Sequence, residues 1–521
     1  MSGSASERHE NRRALAIGLA VVAGLTAIRV AALFATPLQL YPDEAQYWVW
    51  SRTPAFGYFS KPPVIAWLIW LTTRLGDGEP LVRLSAPLVH AVAALALQRA
   101  GRRLYDARTG LIAAMVYMLM PGVQLSSGVV ATDAPLLMFL SLAVWAYAAL
   151  LTTALTGRRG WAAVGLGLSF GGAFMAKYAA LYVVTGAVAY AVATRRSGVG
   201  PTRREAMLAA LLFALVVAPN LAWNAAHGFA TVVHTVDDAH LLQGSSGIAG
   251  HLAQAAGFAV AQLGVFGPGA ALALGAAAWA ARSRAGDAAG RMLLALTAPA
   301  LLVVLIEALA ARANANWAAA AYAPGAVLAA SRLARVRARP LLWATVAGQG
   351  AAAALFVAAA VQPALADALG LGGSFKRARG WREEAAAVAQ AVRTAGPLSA
   401  VVVDSRFHFN ALSYYDRALF AAPGAPPLRM WLRRPRPRSQ PEATAALTPA
   451  TGRRVLAINA ESDYAVELRG DFRAAGPANT VSLPDGGRGA RTVGLFVAED
   501  FRPRPRDPVT GLPLPAGGAT R

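Results

Sequence analysis

Long apolar stretches alternate with short polar connections over roughly the first 360 residues. Runs near 14–35, 82–98, 134–155, 205–223, 251–281, 290–311, 317–333 and 341–361 approach or exceed the length that a bilayer-spanning helix needs, about 20 residues. Residues 110–120 form a shorter run that stops at Pro121, and 161–194 is long enough for two spans broken around Lys177 and Tyr178. Together they predict about 11 transmembrane helices within a domain covering 1–361, with an outer loop at 36–81. Beyond residue 366 the period changes. LSAVVVD (398–404), RRVLAIN (453–459) and TVGLFVA (492–498) read as strands, and GWREEAAAVAQAVRTAG (380–396) as an amphipathic helix ending at Gly396. Helices and strands therefore alternate in a small α/β domain over 366–500, of ordinary domain size. The Pro/Arg-rich stretch 501–521 is expected to be disordered. No internal repeat is apparent.

Composition supports a polytopic α-helical membrane protein: of 521 residues, 56% are hydrophobic and 15% charged, and the mean hydropathy is +0.43. The net charge of +22 comes largely from arginines scattered through short loops rather than gathered on one stripe, which excludes nucleic acid as a partner. With no cysteine, disulfides, thiolate metal sites and a cysteine nucleophile are excluded too. The run 14–35 follows a basic start (Arg8, Arg12, Arg13) but lacks a small-residue cleavage site, so it reads as an uncleaved first span. Loops 1–13, 99–108, 157–160, 194–204, 281–291 and 331–339 hold 20 basic residues, whereas the opposite set holds Arg52, Lys61, Arg74, Lys177 and Arg312. The positive-inside rule then puts the N-terminus in the cytoplasm, and the 36–81 loop and the C-terminal domain outside.

Candidate chemistry concentrates in that loop. In YPDEAQYWVWSRTPAFGYFSKPP (41–63), Asp43 and Glu44 follow a proline and open an aromatic run, Tyr47, Trp48 and Trp50, whose spacing suits a short interfacial helix. Lys61 precedes Pro62 and Pro63, which keep it out of a helix interior and set its ammonium at the entry to the next helix. Asp133 and Lys177 fall at other outer span ends. Interfacial solvation or structural ion pairs would account for any one of these groups. An acid and fixed cations at one membrane face are also what glycosyl transfer from a lipid phosphate requires, a base for the acceptor and positive charge for the departing phosphate. Asp133 alternatively suits a helix N-terminus, and Arg29 either snorkels to the surface or points at a phosphate. His227, His234, His240 and His251, with Asp237 and Asp238, would make a divalent-metal cluster, but their spacing matches no helical zinc motif and favours surface histidines. Asn224 and the NANW run (314–317) put amides at outer span ends, which an interfacial tryptophan belt does not explain.

YPDEAQYW, GYFSKPP, TDAPLLMF, AKYAAL and PNLAWNAAHGF resemble, in the same order, the bacterial members of glycosyltransferase family 39. This is the GT-C superfamily of protein O-mannosyltransferases and lipid A aminoarabinose transferases, and the likeness is nearest to its lipid A and core galacturonosyltransferase branch. It covers residues 1 to about 335, and DSRFHFNALSYY (404–415) is similar to tails of the group. The resemblance implies a GT-C fold and inverting sugar transfer from a polyprenyl-phosphate donor to an envelope glycolipid, polysaccharide or protein at the periplasmic face of the inner membrane. Asp43 and Glu44 would be the catalytic acids, with Asp43 acting as base or orienting the acceptor. Lys61, Lys177 and Arg29 would bind the donor phosphate, and Tyr58, Asp133, Asn224 and His227 would line the acceptor or donor pocket. The aminoarabinose branch has a metal-associated acid just before the lysine, where this chain has Ser60. No metal ligand and no tightly bound cofactor is therefore expected, although a divalent metal stays open. A lipid-linked sugar transporter or flippase is the alternative; its usual repeated halves are absent here.

Overall fold

The computed structural model describes residues 5–153, 156–238, 248–283, 287–311, 313–460, 462–484, 490–508 and 510–514. They form two compact units: 1–35, 55–57 and 61–358 make one, and 36–54, 58–60 and 359–521 the other. The loop around the acidic pair is thus shared out, its two limbs belonging to the second unit and residues 55–57 to the first.

The first unit is helical because its residues are apolar and a chain in hydrocarbon must satisfy every backbone group internally. Among the described residues, six helices are long and apolar enough to cross a membrane: His9–Ala35, Glu79–Leu104, Asp133–Thr152, Arg203–Ala226, Ala288–Ala310 and Val336–Val361. Two bent pairs raise this to eight, and Val64–Leu75 and Ala180–Thr194 are shorter apolar helices. The protein spans a membrane. The helices cross closely where side chains are small. A Cβ on Gly186 would sit 1.9 Å from the Ala295 carbonyl oxygen, and one on Gly110 would sit 2.4 Å from that of Gln98, so both contacts need glycine.

The run 161–194 is broken where expected, into Thr156–Ala176 and Ala180–Thr194. The run 251–281 departs from its reading as one span. It bends by 108° between Ala249–Phe266 and Pro268–Arg282, because Gly267 takes a positive φ of 90° and Pro268 has no amide to continue the ladder. Gln349 Nε2 donates to the freed Phe266 carbonyl at 2.7 Å. At Pro121 a second break turns Ala107–Leu119 by 56° against Pro121–Gly128.

The second unit contains a mixed six-stranded sheet: β1 (Ala400–Val403), β2 (Leu428–Met430), β3 (Arg454–Asn459), β4 (Phe472–Ala475), β5 (Asn479–Pro484) and β6 (Ala490–Phe501). The order is β2-β1-β3-β6-β4, with β5 also on β6; β1 lies parallel to β2 and β3, and β6 antiparallel to β3, β4 and β5. All three anticipated strands are present. β1 is buried throughout, as a parallel strand covered on both faces must be. Val401 and Val403 join one core with Val388, Leu412 and Ile458, while Ala400 and Val402 join the opposite one with Trp431, Phe472 and Phe496. The helix expected over 380–396 runs Trp381–Thr394, followed by Gly396 at φ 73°. The expected disorder of 501–521 is corrected for its first part. Arg506 is held by Asp471 at 2.6 Å and Glu467 at 2.8 Å, and Arg504 by Asp471 at 2.9 Å, so a buried and a half-buried acid fix the arginines that the composition marks as tail. Residues 515–521 lie outside the described ones.

Candidate active site

The acidic pair opens the helix Pro42–Ser51, with proline at its first position, where its missing N–H costs nothing. Its two acids do different work. Glu44 is fully buried and turns back so that its Oε2 accepts the Tyr41 amide at 2.9 Å, the reciprocal half of a capping box. Asp43 is the exposed residue of this helix; the others are buried or half-buried. The rings of this short helix are covered by protein. Trp50 stacks on Tyr58 at 4.9 Å, Trp48 meets Tyr414 edge-on at 5.0 Å, and Tyr47, Trp48 and Trp50 are all buried. A protein surface rather than lipid covers their apolar area. Tyr58 is 1% exposed and donates to the carbonyls of Trp50 and Thr53 at 3.1 and 3.2 Å, so its hydroxyl closes the loop.

In the helical unit, Lys61 is half-buried and is followed by Pro62 and by Pro63, the N-cap of the helix Val64–Thr72. The unsatisfied amides of a helix start suit an anion. Residues 55–57 are pinned nearby in sequence: Trp67 Nε1 donates to the Ala55 carbonyl at 2.9 Å and Asn220 Nδ2 to that of Phe56 at 2.6 Å.

Two polar sets stand deeper in this unit. Lys177, in the break between two helices, donates from Nζ to Asp133 Oδ1 at 2.7 Å, and Asn316 Nδ2 donates to Asp133 Oδ2 at 3.1 Å. Both charges are mostly removed from water, and the pairing gives Asp133 a role beyond the helix dipole. Tyr178 donates to Asn220 Oδ1 at 3.0 Å and accepts from Asn224 Nδ2 at 3.2 Å. Asn220 and Asn224 are fully buried. Asn220 lies in the motif PNLAWNAAHGF but is not among the site residues expected from the sequence. An amide inside an apolar span, one turn before another amide, was the available signal, because such a group must find partners.

Other sequence-derived candidates fall elsewhere. Arg29 is 5% exposed and does not snorkel to the surface. Its guanidinium donates to the Met118 carbonyl and to Gln124 Oε1, and Gln124 Nε2 donates to the same carbonyl at 2.6 Å. That oxygen precedes the Pro121 break, and a desolvated guanidinium needs such acceptors. His227 is exposed, stacks on Trp223 at 4.1 Å and shares a 2.8 Å hydrogen bond with its carbonyl. His234 lies in the helix Ala230–Asp238 and His251 near the start of the next. His240, Arg312 and the side chains of Asp237 and Asp238 lie outside the described residues. Among the described residues no group of three or more His, Asp or Glu side chains converges as a metal site would.

The chain thus combines a helical, membrane-spanning unit with a second unit that holds the acidic helix and a mixed sheet. Comparisons with known proteins bear out that fold and the resemblance read from the motifs. Residues 60–223 match the family described as dolichyl-phosphate-mannose-protein mannosyltransferase. The chain is 38% identical over 320 residues to the lipid A galacturonosyltransferase RgtD of Rhizobium johnstonii, a match spanning 60% of this chain and 64% of that protein's length. Its fold is similar to that of ArnT from Cupriavidus metallidurans, at a TM-score of 0.65 and 16% identity over 92% of this chain and 98% of ArnT in the apo state. For ArnT bound to undecaprenyl phosphate the corresponding values are 0.64, 15%, 92% and 97%.

Proposed function

We propose that this protein is an inverting glycosyltransferase that moves a sugar, galacturonic acid in the first instance, from a polyprenyl-phosphate carrier to a lipid A-type glycolipid. Its place would be the bacterial inner membrane, with the N-terminus cytoplasmic and the reaction at the periplasmic face. The observation that carries the reading is the division of labour on the helix Pro42–Ser51, where Glu44 is buried as a cap and Asp43 is held open to solvent. A fixed, accessible carboxylate in that motif suits a base. The identity to a lipid A galacturonosyltransferase supports the choice of sugar and acceptor.

In this reaction the acceptor oxygen attacks the anomeric carbon from the side opposite the carrier phosphate. The carbon–oxygen bond to the phosphate breaks, and its electron pair stays with the phosphate. With a hydroxyl acceptor, Asp43 takes the proton as attack proceeds; with an ionised phosphate acceptor it only orients the nucleophile. Lys61, at a helix start, stabilises the negative charge on the departing carrier. Lys177 is neutralised by Asp133 and with Asn316 forms a polar wall for the sugar rather than a free phosphate ligand. Asn224 supports that wall through Tyr178.

Among the described residues, the candidate ligands do not fit a divalent metal. Ser60 supplies a neutral hydroxyl where a carboxylate ligand would be needed, and His227 is stacked on Trp223. No step is assigned to a metal. The test is mass spectrometry of lipid A from cells with and without the gene. A galacturonic acid increment lost on deletion and restored by the parent, but not by Asp43→Asn, is expected; unchanged envelope lipids and glycans would overturn the proposal.

A further inference from the structure

DSRFHFNALSYY (404–415), which has no role in the chemistry above, forms the helix Arg406–Tyr415. Within the second unit this helix and its neighbours grip the residues that lead into the acidic helix. The Leu40 amide donates to the Tyr415 hydroxyl at 2.7 Å. Gln39 is buried and bonded through its amide and both ends of its side chain: its amide donates to the Ala378 carbonyl at 2.9 Å, and its Nε2 to Glu383 at 3.0 Å. Its Oε1 accepts the amides of Trp381 and Arg382 at 2.5 and 3.1 Å. Those two amides start the helix Trp381–Thr394 and have no partner within it, so Gln39 caps a helix more than 340 residues away in sequence. Tyr41 donates its hydroxyl to the Ser374 carbonyl at 2.9 Å. On the other limb of the loop, the Phe59 amide donates to Gln440 Oε1 at 3.3 Å.

We infer that Tyr415 and Gln39 are positioning residues for sugar transfer: they hold the backbone of residues 39–41, and through it the carboxylate of Asp43, at a fixed place. The inference rests on the reading of Asp43 as the base. Its physical content is that the helix Pro42–Ser51 is ten residues long, too short to be stable alone in water. Its location is therefore set by what it packs on and by what ties its entry. Trp48 against Tyr414 supplies the packing, and Leu40 with Gln39 supplies the directional ties. A displacement of about 1 Å is enough to cost a reaction as much as 100-fold in rate, so a tie of this kind acts on turnover without touching substrate.

The test is Tyr415→Phe in the full-length protein in nanodiscs, which removes one hydroxyl and keeps the ring. Hydrogen exchange is read on peptides covering residues 36–48, and transfer from a polyprenyl-phosphate galacturonic acid donor to purified lipid A is measured alongside. One hydrogen bond corresponds to roughly a tenfold change in a local equilibrium. Exchange at the 36–48 peptide is therefore expected to speed up by about tenfold, and kcat to fall by at least about fivefold, with the donor KM unchanged. Gln39→Ala leaves Tyr415 intact and is expected to do the same, so the inference does not hang on one variant. A purely structural role would lower the thermal midpoint and the yield of folded protein without this joint change in kcat and local exchange. Parental exchange in the peptide, or faster exchange with parental kcat, would overturn the inference. Parental turnover by Asp43→Asn would overturn the role of Asp43 instead, and the exchange measurement distinguishes the two failures.

Discussion

Lys177 Nζ stands 2.7 Å from Asp133 Oδ1, joining the gap between two helices to the first residue of a third. Breaking either side of a largely buried pair leaves an uncompensated charge, which costs more than removing both. Asp133→Asn and Lys177→Met should each lower the thermal midpoint and donor kcat/KM, and the double variant should lose less than the sum. A coupling of about 1–3 kcal/mol is expected from the double-mutant cycle. Additive effects would show that the two groups act independently.

Asp43 and Glu44 should separate cleanly. Asp43→Asn is expected to abolish transfer while changing stability by less than about 0.5 kcal/mol, as at an exposed site. Glu44→Gln should remain active, since an amide oxygen can still accept the Tyr41 amide in a capping box. Glu44→Ala should lose about 1 kcal/mol of stability from the missing cap. Turnover and thermal unfolding of the three purified variants check this assignment, and loss of turnover in folded Glu44→Gln would make Glu44 part of the chemistry.

Arg29→Ala should destabilise the membrane unit by about 1–3 kcal/mol, through loss of buried hydrogen bonds at the Pro121 break, with the donor KM unchanged. A raised donor KM at parental stability would return Arg29 to the phosphate site.

Burial, followed by the charge of Glu384, pushes the Asp416 carboxyl up to about 7 from its usual 3.8, with Arg393 pulling the other way. Between those values the folded state binds more protons than the unfolded one, so stability falls as pH rises from about 4 to about 7. Asp416→Asn keeps the shape and cannot ionise. Its thermal midpoint should exceed that of the parent near neutrality, and the difference should vanish toward pH 4. A parallel pH dependence in the two proteins would contradict the assignment.

Treatment with EDTA followed by desalting should leave transfer intact, because Ser60 and the stacked His227 do not make a divalent site. Activity lost on chelation and restored by zinc, manganese or magnesium would reverse this, with His234 and His251 the first ligands to replace.

Much of the molecule was legible from local pattern. Apolar length marked the helical unit, short β-branched apolar runs marked β1, β3 and β6, and Gly396 marked the end of the helix Trp381–Thr394. These features depend on solvent preference and backbone period, which neighbouring residues establish among themselves. The loop 41–63 marked itself as the candidate site in the same way, by placing an acid and a lysine beside prolines. What each charge does was decided only in three dimensions. Glu44 became a cap and Asp43 stayed open because one side of a short helix is covered. Arg29 met the Met118 carbonyl, 89 residues away, because the helix breaks just after it. Tyr415 reached the Leu40 amide across 375 residues. Partners so distant share no periodicity or spacing that a sequence displays; a hydrogen bond is fixed by distance and direction between atoms, and those exist only once the chain has folded.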